Sequence, residues 1–198
     1  MDDPPVLIGR VTRCSIRGFV GGVQLTEPDM PAFGSFCKAA AQRGRSHVIG
    51  LIYEISIEDD ELARQLAIAD TPPAEIRADN QFTRPVPIEI RALTVGYQNG
   101  EGLHWTLPPQ PPLTLADIHP LVADEVRDFT ERLDFLPLIL SASELPVDDL
   151  LIAALRHAAA VRSLAERRSF LLRAGRECAR LLSHDLTRLD NLTRLLAR

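Results

Sequence analysis

The sequence has almost no lysine: Lys38 is the only one, and arginine supplies every other basic side chain. A P-loop has the form GxxxxGK followed by Ser or Thr, because its lysine must reach the β- and γ-phosphates of a bound nucleotide. Lys38 follows Cys37 and precedes Ala39, so it does not stand in this pattern. The scarcity of lysine therefore excludes a P-loop ATPase or GTPase.

Cysteines and long apolar runs are also scarce. The three cysteines, Cys14, Cys37 and Cys178, are widely spaced and form no CxxC pair. This pattern predicts small buried side chains rather than a disulfide or a metal site. No stretch approaches the roughly 18 consecutive apolar residues of a membrane span, and residues 1–5 lack the basic and apolar regions of a signal peptide. We therefore expect a cytoplasmic protein that does not enter a membrane.

The sequence contains no recognisable catalytic pattern. There is no HExxH pair and no GxSxG nucleophile elbow, and the histidines stand far apart at His47, His104, His119, His157 and His184. The carboxylate oxygens at positions 58–61 could serve as ligands of a divalent cation. Acidic side chains also suit the first turn of a helix, and we interpret them as the start of a helix over 58–69. We predict that the chain is not an enzyme and has no catalytic, cofactor-binding or metal-binding residues.

The charge is unevenly distributed along an otherwise ordinary composition of 45% apolar and 25% charged residues. Residues 1–150 contain 12 basic and 23 acidic side chains, whereas residues 151–198 contain 10 basic and 4 acidic ones. The overall net charge of −5 therefore conceals an acidic body and a basic C-terminal part.

The first half of the chain is typical of short strands separated by turns. Alternation at Tyr53, Ile55 and Ile57 fits a half-buried strand, and Asn99-Gly100 predicts a hairpin turn. Short strands with turn glycines at this density favour a small closed barrel. The predicted six-stranded barrel spans 6–107, with strands over 6–14, 18–25, 35–41, 47–57, 87–97 and 103–107.

The second half is expected to be helical. The proline-rich segment 108–116 predicts a stiff linker, and residues 117–198 predict a helical domain or a helical hairpin tail, with a first helix over 117–133. Apolar residues recur at spacings of three and four from Val147 onward, as in amphipathic helices. A single rod of about 75 Å is one interpretation. We favour a hairpin that breaks near Ser163 or Ser183, because a lone rod needs a partner for its apolar stripe. The predicted fold class is α+β, a six-stranded β-barrel followed by a C-terminal α-helical region.

Four short segments of the first half stand out: IGRVT at 8–12, FGSFCKA at 33–39, VIGLIYEI at 48–55 and IEIRALTVGY at 88–97. Together with the prolines at 108–112, they resemble the HAS barrel. This small β-barrel is shared by HerA-type DNA translocases and rotary ATP synthases. The resemblance covers about residues 6–113, and it implies a module for ring assembly or for docking of partners. In the family an ATPase domain usually follows the barrel; here the missing P-loop means that the resemblance carries over no ATP hydrolysis.

The C-terminal part supplies the candidate contact residues. Arginine clusters bind acidic protein surfaces or the phosphates of nucleic acids, and in the second case binding weakens with salt. Few aromatic side chains accompany these arginines, so base stacking is not indicated. The candidate partner or nucleic-acid contacts are Arg162, Arg167, Arg168, Arg173, Arg176 and Arg180, and the candidate helix-stripe interface is Leu182, Leu186, Leu189 and Leu196.

The predicted function is that of a non-catalytic assembly or docking module in DNA processing. We expect an accessory protein that forms a homo-oligomer, binds a HerA-type ATPase or nuclease, or does both. The alternative is a protein that binds nucleic acid directly through its arginine-rich C-terminal helices.

Overall fold

The computed structural model of the protein describes residues 6–23, 31–57, 88–143 and 145–196. The predicted helix over 58–69 and its acidic residues 58–61 lie outside these ranges. The strands within them are β1 (Gly9–Ser15), β2 (Gly18–Val23), β3 (Phe36–Ala41), β4 (Ser46–Ile57), β5 (Ile88–Asn99), β6 (Gly102–His104) and β7 (Asp117–Pro120).

Six of these strands close into an antiparallel barrel. The strand order is β2-β1-β7-β3-β4-β5, and β5 pairs back with β2 from Gly18 opposite Leu93 to Val23 opposite Ile88. Strand β6 only extends the sheet beyond β5, to which it is joined by the predicted hairpin at Asn99. The helices follow the barrel in the chain. The predicted α+β fold class, a six-stranded barrel ahead of a helical region, is confirmed.

The sixth barrel strand is not the one predicted from the sequence. The segment 103–107 contributes only the short β6, whereas β7 closes the barrel between β1 and β3. The predicted helix over 117–133 is therefore wrong at its beginning. Its sequence, Asp117-Ile118-His119-Pro120, buries Ile118 inside the barrel, and the backbone of this segment pairs with both neighbouring strands.

The proline-rich segment 108–116 packs on the barrel instead of standing clear of it as a linker. The amide of Leu113 donates to the carbonyl of Ala40 at 2.9 Å, and the amide of Leu115 donates to the carbonyl of Val11 at 2.8 Å. Pro112 forms an isolated bridge with Ala41. These hydrogen bonds lead the chain directly into β7, so the barrel includes residues on both sides of the prolines.

The helices in the described ranges are α1 (Ala123–Phe129), α2 (Leu136–Leu140), α3 (Val147–Ala160), α4 (Leu164–Leu181) and α5 (Leu186–Leu196). The single rod is excluded, because the chain breaks at Ser163 and again after Leu182, close to both predicted positions. Ser163 begins α4 as its N-cap and forms a capping box with Glu166, which satisfies amides that the first turn leaves unpaired. No helix in the described ranges is both long and apolar enough to cross a membrane.

Two apolar cores share the barrel wall. Alternate residues of β3 point in opposite directions, so Cys37, Ala39 and Ala41 belong to the barrel interior. Phe36 points outward into a second core, formed with the helices and centred on Phe129 and Phe135. The helical region is thus packed on the outer face of the barrel.

Gly34 marks a close approach between these two parts. It has a φ of +81°, and a Cβ atom there would lie 2.3 Å from the Cβ of Ala153 in α3. Only glycine avoids both the left-handed strain and this overlap. The sole lysine acts at the same junction, where Lys38 on β3 forms an ion pair with Glu125 on α1.

We predict that His157, half-buried where the helices meet the barrel, makes stability depend on pH. Its ring stacks on Phe36 with centroids 5.8 Å apart, and burial lowers the pKa of His157 below its ordinary 6.5. As the pH falls below 6.5, the unfolded chain gains a proton that the folded chain does not bind, so the free energy of unfolding decreases. The decrease ends once the pH is below the pKa of the folded state.

Urea unfolding on both sides of pH 6.5 measures this effect. His157→Gln is expected to have a shallower pH dependence than the natural chain. His184→Gln, at an exposed position, should keep the natural dependence. Equal slopes for the natural chain and His157→Gln would refute this assignment.

Candidate docking groove on the helical hairpin

Helix α4 has one buried and one open face. Phe170, Ala174 and Cys178, spaced by four, are buried against the second core. Leu164 and Leu172, eight residues apart on the same helix, are exposed by 82% and 56%. Large leucines exposed together on a well-packed helix are typical of a surface that meets another molecule.

These leucines belong to an open groove of about 760 Å³ between α4 and the end of α5. We call it the α4–α5 groove. A Cβ atom added at Gly175 would meet no heavy atom within 4 Å, so the groove is open above the backbone of α4 at that point. Its apolar lining is Leu164, Leu171, Leu172, Gly175, Ala179 and Leu196, and its polar lining is Arg167, Arg168, Arg176 and Thr193.

Four of the six candidate contact arginines have partners within the chain. Arg167 donates from Nε to the carbonyl of Ala159 at 3.1 Å, near the end of α3. Arg173 pairs with Glu131 at 2.9 Å, and Arg180 pairs with Glu177 at 2.5 Å. Hydrogen bonding to Arg173 lowers the pKa of Glu131, and hydrogen bonding to Arg180 lowers that of Glu177.

Arg162 is the fourth, and its side chain lies inside the protein. The residue is only 6% exposed. Its guanidinium donates to the carbonyl of Ala158 at 2.6 Å and to that of Arg127 at 3.2 Å. It also lies 4.0 Å above the centre of the Phe170 ring, where a cation is attracted to the aromatic face. Arg162 therefore joins α1, α3 and α4, and it is not presented to a partner.

Arg168 and Arg176 differ from these four. Among the described residues, neither forms an ion pair or a side-chain hydrogen bond within the chain. They stand eight residues apart on α4, and both line the α4–α5 groove. The arginines that remain available for a partner thus coincide with the exposed leucines.

The candidate leucine stripe divides in a similar way. Leu182 and Leu196 are buried, and Leu189 is partly buried against the second core. Leu186, the first residue of α5, is exposed by 71%. Most of the stripe thus stabilises the hairpin itself. The exposed leucines of α4, which were not among the candidates, form the larger apolar surface.

A second cleft, of about 440 Å³, lies between the barrel and the residues Ser141, Ala142, Ser143 and Leu145. Of its three arginines, Arg91 pairs with Glu89 at 3.0 Å and with Glu54 at 3.4 Å, and Arg13 lies 3.7 Å from Glu89, whereas Arg17 forms no ion pair among the described residues. None of the residues that line this cleft is a large exposed apolar side chain, whereas Leu164 and Leu172 line the α4–α5 groove. The α4–α5 groove is therefore the stronger candidate for binding a protein.

Within the described part of the chain, no three His, Cys, Asp or Glu side chains converge in a metal-binding cluster. Burial raises the pKa of Cys37 to about 12 and that of Cys178 to about 11, so both are neutral thiols at physiological pH. The prediction that these two cysteines are buried is confirmed. Cys14 is half-buried, and its thiol donates to the carbonyl of Pro112 at 3.2 Å.

Neither a family model nor a curated protein matches the chain.

Proposed function

We propose that this chain is a non-catalytic assembly or docking module. In this proposal it is a cytoplasmic accessory protein that self-associates or binds a HerA-type translocase or a nuclease in DNA processing. The α4–α5 groove is the observation that carries the proposal, because it combines exposed leucines with two arginines that form no ion pair within the described part of the chain. The link to DNA processing rests on the resemblance of the barrel strands to the HAS barrel.

The size of the groove favours reversible docking over permanent assembly. Complete burial of Leu164 and Leu172 would contribute about 3–6 kcal/mol. Association costs about 4–15 kcal/mol in lost translational and rotational freedom. Contacts from the rim of the groove and from the partner's neighbouring surface must supply the remainder. We therefore expect a complex that dissociates on dilution.

Light scattering coupled to size-exclusion chromatography tests the proposal over a wide range of protein concentration. If the chain self-associates through the groove, the mean mass rises with concentration, and the rise is lost when Leu164 and Leu172 are both replaced by Asp; if it docks on a different protein, the same double variant should lose binding of that protein. Both positions are exposed, so the double variant should keep the circular dichroism spectrum of the natural chain. A strict monomer that also binds neither a HerA-type translocase nor a nuclease would contradict the proposal.

Direct nucleic-acid binding is the second candidate. The observation in its favour is that Arg168 and Arg176 have no acidic partner in the ranges that the structure describes. Each phosphate contact to B-DNA contributes about −0.9 to the slope of log K against log salt concentration. Contacts from Arg168 and Arg176 alone therefore predict a slope no steeper than about −2. Titration of duplex DNA at several salt concentrations measures it. A slope of about this size that Arg168→Ala and Arg176→Ala together abolish would favour nucleic acid over protein as the partner.

A further inference from the structure

We propose that the α4–α5 groove binds an amphipathic helix of a partner protein, one whose apolar stripe is bordered by acidic side chains. This inference rests on the proposed docking function and names the kind of partner. Three properties of the groove carry it: its length, its open floor and the position of its charges.

The length of the groove matches a helix of about four turns. Its lining runs along α4 from Leu164 to Ala179, which corresponds to about 22 Å at the rise of an α-helix. Leucines on one face of a bound helix recur every three or four residues, so several of them would fall within this length. A single loop tip would leave much of the groove empty.

The floor of the groove allows close approach. Gly175 has no side chain, and the space where a Cβ would stand is empty. Ala179, one turn further along α4, is also small. An apolar side chain of the partner can therefore reach the backbone of α4 at Gly175. It would lie between Leu171 and Leu172 on one side and Ala179 on the other, as in the knobs-into-holes packing of paired helices.

The charges of the groove favour carboxylates on the partner. Arg168 and Arg176 are separated by about 12 Å along the helix axis, and neither has an acidic partner among the described residues. Arg167 adds positive charge at the same end, although its guanidinium is held by the α3 carbonyls. Asp or Glu at two positions about seven residues apart on the bound helix would meet Arg168 and Arg176.

The same charges disfavour the other occupants. Two grooves facing each other in a symmetric dimer would bring arginines of like charge together, which costs free energy. Single-stranded nucleic acid binds through aromatic stacking, but the groove lining has no aromatic residue, and Phe170 is buried on the opposite face of α4.

Three synthetic peptides of about four helical turns test the inference on the full chain by fluorescence anisotropy. The first has leucines on one face and glutamates along its border. The second has lysine in place of each glutamate, and the third has the composition of the first with the leucines scattered. We expect the first peptide to bind at least about tenfold more tightly than the second, and the third not to bind.

Variants of the chain locate the binding site. Leu172→Asp should abolish binding of the glutamate peptide, whereas Leu186→Asp should leave it unchanged. The double variant Arg168→Glu with Arg176→Glu should prefer the lysine peptide. Arg17→Glu makes the same kind of charge change on the exposed turn between β1 and β2, and should leave the preference for glutamate in place.

Equal binding of the glutamate and lysine peptides would overturn the inference, as would binding that Leu172→Asp does not affect. If no peptide binds but the chain self-associates through Leu164 and Leu172, the occupant is a second copy. In that case the docking function stands and this inference falls. The inference is supported if unlabelled glutamate peptide displaces the labelled glutamate peptide from the groove and duplex DNA does not. Binding of DNA alone would refute it.

Discussion

Replacing Phe36 by alanine is expected to lower the free energy of unfolding by about 3–5 kcal/mol. Phe36 lies on the outer face of β3, where its ring meets Phe129 at 5.8 Å and Phe135 at 5.9 Å between centroids, both edge to face. It also stacks on His157. Loss of this ring would open a cavity between the barrel and the helices, and the rigid barrel wall could not collapse to fill it.

Phe33→Ala is the matched control for this change. Phe33 stands three residues earlier and is 38% exposed, so its truncation removes few buried contacts. Urea unfolding followed by circular dichroism measures both variants. We expect a large loss for Phe36→Ala and a loss below about 1 kcal/mol for Phe33→Ala. Similar losses in the two variants would contradict the packing of the helices on the barrel.

Replacing Arg162 by alanine is expected to lower the free energy of unfolding by about 3 kcal/mol. The substitution leaves the carbonyls of Ala158 and Arg127 without their charged donor in a buried place. It also removes the cation from the face of Phe170. Buried acceptors that lose a charged partner are costly because water cannot replace it.

Arg194→Ala is the control, because Arg194 forms an exposed pair with Asp190 at 3.4 Å one turn away on α5. Such pairs contribute about 0.3–0.5 kcal/mol. Arg168→Ala should also leave stability nearly unchanged. Chemical unfolding of the three variants distinguishes a structural arginine from exposed ones, and equal stability of Arg162→Ala and Arg168→Ala would contradict the assignment.

The barrel was largely predictable because its strands carry local patterns. Alternation along β4 and β5, and the hairpin sequence Asn99-Gly100, are visible without any knowledge of pairing. Strand β7 was not predictable in the same way, since its four residues include a proline and only one buried apolar side chain, Ile118. This segment is a strand because β1 and β3 stand on either side of it. Pairing between such distant segments leaves no local pattern.

The positions where one helix ends and the next begins could be predicted from local residues, whereas the binding face of α4 could not. Ser163 is a typical N-cap residue and predicts the start of a helix. Leucines, however, occur on both the buried and the open face of α4, so their periodicity alone does not show which leucines are exposed. The roles of the arginines depend on still more distant residues. Arg173 pairs with Glu131, 42 residues away, and Arg188 pairs with Asp148, 40 residues away. Only the tertiary structure distinguishes Arg173 and Arg188, which have acidic partners, from Arg168 and Arg176.

The central claim is that this protein meets its partners through the α4–α5 groove. Leu164 and Leu186 provide the most direct comparison, because each is an exposed leucine at the first position of its helix. The measurement is the fluorescence anisotropy of the glutamate peptide titrated with Leu164→Asp and with Leu186→Asp. We predict that binding is lost in Leu164→Asp and kept in Leu186→Asp. Loss in both variants, or in neither, would contradict the claim.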